Sequence, residues 1–174
     1  QVVRLAEAIP ARIEVNLFHR TEGRVRRLVK VLEKAGAEEV LGPRPDARIP
    51  GLDSKRALCH REGIYRADVV LVPLEDGDRA EALVRMGKTV ISVDLNPLSR
   101  TSQRASIAVV DELTRALQHI EEFVLELRRN PKEAARIARA YEKDRNLRAL
   151  YSFLNWRLSR LGARGCSRKK AAHA

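Results

Sequence analysis

From Asp94 to Arg104 the chain reads Asp-Leu-Asn-Pro-Leu-Ser-Arg-Thr-Ser-Gln-Arg, which sets a carboxylate, two amides, three hydroxyls and two arginines within eleven residues. Such a set can hold an anion through guanidinium and hydroxyl donors, and the edge of a ribose or base through the carboxylate and amide. Helix capping would use only one of these groups. Two other stretches carry comparable chemistry: Asn16, His19 and Arg20 in Asn-Leu-Phe-His-Arg-Thr (16–21), and Glu75, Asp76 and Asp78 in Pro-Leu-Glu-Asp-Gly-Asp-Arg (73–79). Thr21, Asp76 or Asp78, and Asp111 also suit helix N-caps, a role that needs no ligand. The chain has no Walker A pattern, no GxGxxG, no HExxH and no GxSxG. A phosphate would therefore be held by arginines, loop amides and helix N-termini. No general base and no set of metal ligands stands out.

Strands must position these loops. The apolar run within 88–93 leads straight into the 94–104 loop, and Val-Val-Leu-Val within 68–73 reads as a central strand covered on both faces. Residues 12–18 alternate Ile13, Val15 and Leu17 with polar partners, a half-buried strand, and 39–41 and 106–110 are shorter strand candidates. Helical spacing predicts a first helix ending near Pro10, a second from Thr21 to Gly36, a third over 54–62 stopped by Gly63, and a fourth through about residue 86. A long amphipathic helix runs from Asp111 to Leu127 and is broken at Asn130-Pro131. Two more follow, over 132–144 and 147–161. Residues 42–51, rich in Pro and Gly, read as an ordered loop. Alternating strands and helices predict an α/β fold with a mostly parallel sheet, helices on both faces and a C-terminal helical extension. If the strands are parallel, the loops after 12–18, 68–73 and 88–93 share one rim.

The expected organisation is a core over 1–129, a helical extension over 130–161, and a basic, disordered end over 162–174. Charge supports that division. The whole chain carries +11, but residues 131–174 alone carry +9, leaving a nearly neutral body. The same tail holds four of the seven aromatic residues: Tyr141, Tyr151, Phe153 and Trp156. A nucleotide- or RNA-binding module using this tail is the alternative reading. Leu147, Leu150, Leu154, Leu158 and Leu161 recur at helical spacing, however, which favours packing on the core or a dimer mate over nucleic acid. Cys59 and Cys166 lack zinc-site spacing and are expected to be free thiols. There is no apolar run of about 20 residues and no leader pattern, so no membrane partner and a cytoplasmic location are expected. Arginine far outnumbers lysine and Asn and Gln are scarce, a mixture that suits a thermophile but also a GC-rich genome.

Four blocks, in order, carry a specific resemblance. Ile-Glu-Val-Asn-Leu-Phe-His-Arg-Thr-Glu (13–22), Asp-Ala-Arg-Ile-Pro-Gly-Leu-Asp-Ser (46–54), Asp-Val-Val-Leu-Val-Pro-Leu-Glu-Asp-Gly-Asp-Arg (68–79) and Val-Asp-Leu-Asn-Pro-Leu-Ser-Arg-Thr (93–101) resemble the archaeal 4-phosphopantoate–beta-alanine ligases, or phosphopantothenate synthetases. The resemblance implies a Rossmann-like, homodimeric enzyme of coenzyme A biosynthesis that uses ATP with Mg²⁺. It would join 4-phosphopantoate to beta-alanine through an acyl adenylate, releasing AMP and pyrophosphate. It also implies ATP contacts at Asp94, Leu95 and Asn96, at Arg100 and Thr101, and at Glu112 and Leu113, where the family usually carries Asn-Ile. Asn16, Arg20 and Arg48 are expected substrate contacts by loop position, and Glu75, Asp76 and Asp78 offer carboxylates to Mg²⁺ or to the beta-alanine amine. The family's N-terminal His-Gly-Arg-Gly-Glu block has no counterpart, and position 1 is Gln. The expectation is therefore the C-terminal two-thirds of such an enzyme, holding half of a site and incomplete by itself.

Overall fold

The computed structural model describes residues 1–53, 55–73 and 76–170, the last nine as helix backbone only. After helix α1 (Val2–Ala8), strand β1 (Ile13–Glu14) pairs in parallel with β2 (Val40–Leu41). Helix α2 (Glu22–Lys34) crosses between them and buries Val25 and Val29 in a small cluster with Val15. Thr21 caps α2, its Oγ1 accepting the Arg24 N–H at 3.3 Å. The alternation over 12–18 predicts a longer strand than the two residues that form. Val15 N–H still donates to the Leu41 carbonyl at 2.8 Å, but β2 ends at Gly42, with φ +133°, and a Cβ there would stand 2.6 Å from the Val15 carbonyl oxygen.

The stretch 42–62 departs furthest from expectation. In place of a loop and a helix, β3 (Ala47–Arg48) pairs antiparallel with β4 (Leu58–Cys59) across a single 3₁₀ turn at Lys55–Ala57. Ala57 and Cys59, two apart, are both fully buried while Leu58 between them is not. That period of two fits an extended chain better than a one-sided helix. Residues Arg61–Tyr65 form a π-type turn instead of the helix end expected at Gly63. Glu14 ties this turn to β1, its two carboxylate oxygens accepting the His60 and Ile64 N–H groups at 2.9 and 2.8 Å. Burial raises the Glu14 pKa, and the two amides work against that rise.

The second half supplies the main sheet. Strand β5 (Val69–Val72), helix α3 (Gly77–Arg85), strand β6 (Thr89–Val93), helix α4 (Arg100–Arg104) and strand β7 (Ile107–Val109) form a parallel sheet ordered β5-β6-β7. Register is set by Val70 opposite Val90 and Ile91 opposite Ile107. The apolar run within 68–73 is thus an edge strand of this sheet and β6 the middle one. Val69 is 55% exposed, whereas Val90 is fully buried. One core joins Val70, Val72, Val90, Ala80 and Leu83 to Ile49, Leu52, Ala57 and Cys59. Helix α5 (Leu113–Leu127) packs with α1, where Arg4 donates to Glu121 Oε1 at 2.8 Å. Helix α6 (Pro131–Ala140) follows the predicted break, and α7 (Lys143–Lys170) continues past Leu161, where a disordered end is expected. The fold is mixed α/β, with parallel strands flanked by helices and a C-terminal helix, as the alternation of elements predicts.

By its internal contacts the chain divides into two units, Gln1–Ala140 and a second from Tyr141 onward. In the second unit Leu147 is buried, but Leu154, Leu158 and Leu161 are exposed, as are Phe153 and Trp156. Among the described residues, no helix is long and apolar enough to cross a membrane.

Candidate functional site

The carboxyl ends of β5 and β6 feed two loops that meet beside the start of α3. Asp76 is the centre of that meeting. As N-cap of α3 it accepts the Arg79 N–H at 3.1 Å, and its backbone N–H donates to Thr101 Oγ1 at 3.0 Å, so the loop after β5 is tied to α4. Its carboxylate also pairs with Arg79 Nη2 at 3.0 Å and Arg56 Nη1 at 3.3 Å. Asp76 and Arg79 are each less than a tenth exposed, and Thr101 is fully buried. Arg79 extends the link to the first strand, donating from Nη1 to the Asn16 carbonyl at 3.3 Å. Burial lowers the Arg79 pKa, and the neighbouring Asp76 charge opposes that effect.

A second, more open layer of charge lies above this one. Asp78 takes Arg56 Nη2 at 2.6 Å on one oxygen and Arg100 Nη1 at 2.5 Å on the other. Glu81 takes Arg100 Nη2 at 3.0 Å and lies 3.6 Å from both Arg85 and Arg104. The hydrogen bond from Arg56 and the charge of Arg100 hold Asp78 below the usual carboxylate range, and Arg100 does the same for Glu81. Both groups therefore protonate at lower pH than free carboxylates, and their pairing is lost as pH falls through the lowered values. The guanidinium of Arg56 also stacks over the Phe18 ring, 4.7 Å from its centroid. A cleft of about 360 Å³ opens here, bounded by Gly51, Leu52, Arg56, Asp78, Glu81 and Arg100 among others.

The 94–104 stretch divides in two. Asp94 Oδ1 accepts the Asn96 N–H and Asn96 Oδ1 the Leu98 N–H, both at 2.9 Å, so each side chain closes a turn of its own loop. Asp94 Oδ2 is buried and accepts no hydrogen bond among the described residues. Leu95 is exposed. Residues Arg100–Arg104 are helical, where a loop is expected, and Ser99 caps α4 by accepting the Ser102 N–H at 3.1 Å. This helix carries Arg100 and Thr101 to the cluster.

Other expected contacts stand apart from the cluster or do structural work. Glu112 caps α5, its oxygens accepting the Thr114 and Arg115 N–H groups at 2.9 and 3.0 Å, and Leu113 is the first residue of that helix. The Asp94 N–H donates to the Val109 carbonyl at 3.0 Å, which keeps the two loops adjacent. Asn16 Nδ2 donates to the Leu58 carbonyl at 3.0 Å, while its Oδ1 is buried with no hydrogen bond among the described residues. Arg20 bonds the Gly42 carbonyl, and Arg48 reaches the Leu52 carbonyl at 3.4 Å. Phe18, Arg56, Arg79, Glu81 and Arg85 are the members that the sequence pattern did not single out. Arg79 ends a quoted block, and its helix-start position beside Asp76 was the available signal.

The carboxylates of the cluster are spent on arginines, and among the described residues no three His, Cys, Asp or Glu side chains gather as metal ligands. Mg²⁺ therefore finds no cage built from these residues. Glu75 lies outside the described residues.

Comparison with known proteins fits this arrangement. The family model described as phosphopantothenate/pantothenate synthetase matches residues 1–157. The chain belongs to the phosphopantothenate/pantothenate synthetase family. It is 51% identical over 164 residues to a 4-phosphopantoate–beta-alanine ligase of Methanosarcina mazei, covering 94% of this chain and 64% of the relative. It is 45% identical over 172 residues to the ligase of that name from Thermococcus kodakarensis, covering 98% and 66%. The ligase of that name from Methanospirillum hungatei is 53% identical over 127 residues, 73% of this chain and 51% of the relative. The chain thus spans just under two-thirds, or less, of the length of these relatives. Within the synthetase family match fall all four quoted blocks and every residue of the cluster.

Proposed function

We propose that the protein is an ATP-dependent ligase that joins 4-phosphopantoate to beta-alanine, forming 4'-phosphopantothenate with release of AMP and pyrophosphate, in coenzyme A biosynthesis. The observation that carries this reading is the convergence of Arg56, Arg79 and Arg100 with Thr101 around Asp76 and Asp78, at the carboxyl rim of parallel strands, in a chain of this family. In the reaction the substrate carboxylate attacks the α-phosphorus of ATP, and the bond to pyrophosphate breaks. The beta-alanine amine then attacks the acyl carbon, loses a proton and expels AMP. The first step brings anions together, so it needs fixed cations around the phosphates. Arg100, Thr101, Asp94, Leu95, Asn96, Glu112 and Leu113 are the residues assigned to ATP, the last pair through backbone amides since the Glu112 side chain is used as a cap. Asn16 is the substrate contact with most support, because its Oδ1 is buried with hydrogen-bonding capacity to spare. Arg20 and Arg48, already bonded to carbonyls, have less.

Mg²⁺ belongs to this reading as a companion of the ATP phosphates, which commonly bring it to sites with few protein ligands. A cytoplasmic homodimer belongs to it as well, and the exposed Phe123 and Leu125 of α5 and Ile137 of α6 are apolar surface suited to a protein contact. The RNA-binding alternative draws no support from the relatives' names. Isotope exchange tests the reaction. In the full-length protein, labelled pyrophosphate should enter ATP when 4-phosphopantoate is present and beta-alanine absent. No exchange in a protein that still forms product would remove the free acyl adenylate from the mechanism.

A further inference from the structure

Asp78 holds two arginines that come from different parts of the chain, Arg56 from the 3₁₀ turn before β4 and Arg100 from the start of α4. Each of its oxygens takes one guanidinium, so the two forks face a single small anion. Arg56 is fixed from behind, by the buried Asp76 on Nη1 and by the Phe18 ring under its face. Its side chain is only 16% exposed, whereas those of Asp78 and Arg100 are 39% and 56% exposed. Arg100 is fixed by its stem: a Cβ on Gly77 would meet Arg100 Cγ at 2.7 Å and Cβ at 2.8 Å, so the absent side chain at 77 is what lets Arg100 lie across the start of α3. Arg56 is the anchored member of this trio, while Asp78 and Arg100 are its exposed members, and exposed ion pairs contribute little to stability.

We propose that Arg56 and Arg100 form a clamp for a phosphate group, with the Asp78 carboxylate occupying the clamp until that group displaces it. Two oxygens of a phosphate present much the same pair of acceptors as the two carboxylate oxygens, with more charge. The surroundings favour the exchange. Arg56, Arg79, Arg85, Arg100 and Arg104 face Asp76, Asp78 and Glu81, and with Asp53 of the same cleft the balance is +1. When phosphate enters, Asp78 turns into the open cleft, where water solvates it. This step rests on the ligase reading only for the source of the phosphate, which is ATP or the phosphomonoester of 4-phosphopantoate.

The test measures binding by calorimetry in the full-length protein, with ATP, 4-phosphopantoate and pantoate as separate ligands. D78N removes the occupant and should tighten the phosphate ligand about threefold to tenfold, while R56Q should weaken it about tenfold or more. D53N, which removes a carboxylate from the same cleft lining, measures the general effect of charge and should give a smaller gain than D78N. G77A changes no charge and should weaken binding by displacing Arg100. Pantoate, without a phosphate, should respond to none of them. Effects confined to ATP or to 4-phosphopantoate identify the source, and either supports the clamp. Weaker or unchanged binding in D78N, or a gain matched by D53N, overturns the exchange; unchanged binding in R56Q overturns the clamp. R56K, which keeps charge but loses the fork, replaces R56Q if the latter unfolds. Absence of ligase activity in the unsubstituted full-length protein, with these binding signs intact, would reject the reaction and leave the clamp standing.

Discussion

The two halves of the 94–104 stretch have similar composition and opposite uses. In the first, Asp94 and Asn96 spend their side chains on N–H groups two residues ahead. In the second, Arg100 and Thr101 reach across to the loop after β5 and the start of α3, some 20 residues away in sequence. Local bonds shape one loop and can be remade with water, so they are cheap to lose. Bonds between loops fix the relative position of two chain segments; the buried Thr101 bond costs more when broken, whereas the half-exposed Arg100 pairs cost little. The first half therefore shapes its own loop, and the second, through Thr101, ties two loops into one frame.

The largest effect expected from that contrast is at Asp76, which joins the frame together. Asp76→Ala removes the α3 cap and leaves the buried Arg79 without its carboxylate. Urea unfolding of the full-length protein should show a loss of about 3–5 kcal/mol, the usual consequence of stranding one member of a buried pair. Asp76→Asn keeps an acceptor for the cap and should lose less. A loss under about 1 kcal/mol in the alanine variant, within the range of an N-cap alone, would mean that Arg79 is not held by Asp76.

Thr101 comes next. Its hydroxyl is the acceptor for the Asp76 N–H in a site without solvent exposure. Thr101→Val conserves shape but strands that donor, which should cost about 1–3 kcal/mol, whereas Thr101→Ser should stay close to the parent. Equal stability of the valine and serine variants would show that the link between the two loops is dispensable, and the contrast between the halves would narrow.

Much of this frame was legible because its signals are local. Thr21 as a cap and the apolar residues within 88–93 as a strand follow from neighbouring residues, and both formed close to their expected place. Arg56 was not legible. Its partners Asp76 and Asp78 are 20 and 22 residues away, and the helix expected over 54–62 hid the extended pairing that turns it toward them. Strand order escaped for the same reason: four apolar residues in a row describe a buried-looking strand, but only pairing decides that Val69 lies on an edge.

The smallest structural effect, and the one that separates the two halves most sharply, is expected at Asp94. Asp94→Ala loses one hydrogen bond within a turn, worth about 0.5–1.5 kcal/mol, so unfolding should shift only slightly. Its other oxygen, buried and without a hydrogen bond among the described residues, is the group available to a nucleotide, and losing a charge-assisted contact of that kind should weaken ATP binding about tenfold. Asn96→Ala loses a comparable turn bond and is the matched control for stability. A ligand effect that exceeds the stability effect at Asp94, set against the reverse at Thr101→Val, keeps the halves distinct. If Asp94→Ala unfolds the protein as readily as Thr101→Val, or leaves ATP binding unchanged, the first half is part of the frame as well and the nucleotide must be sought elsewhere on the rim.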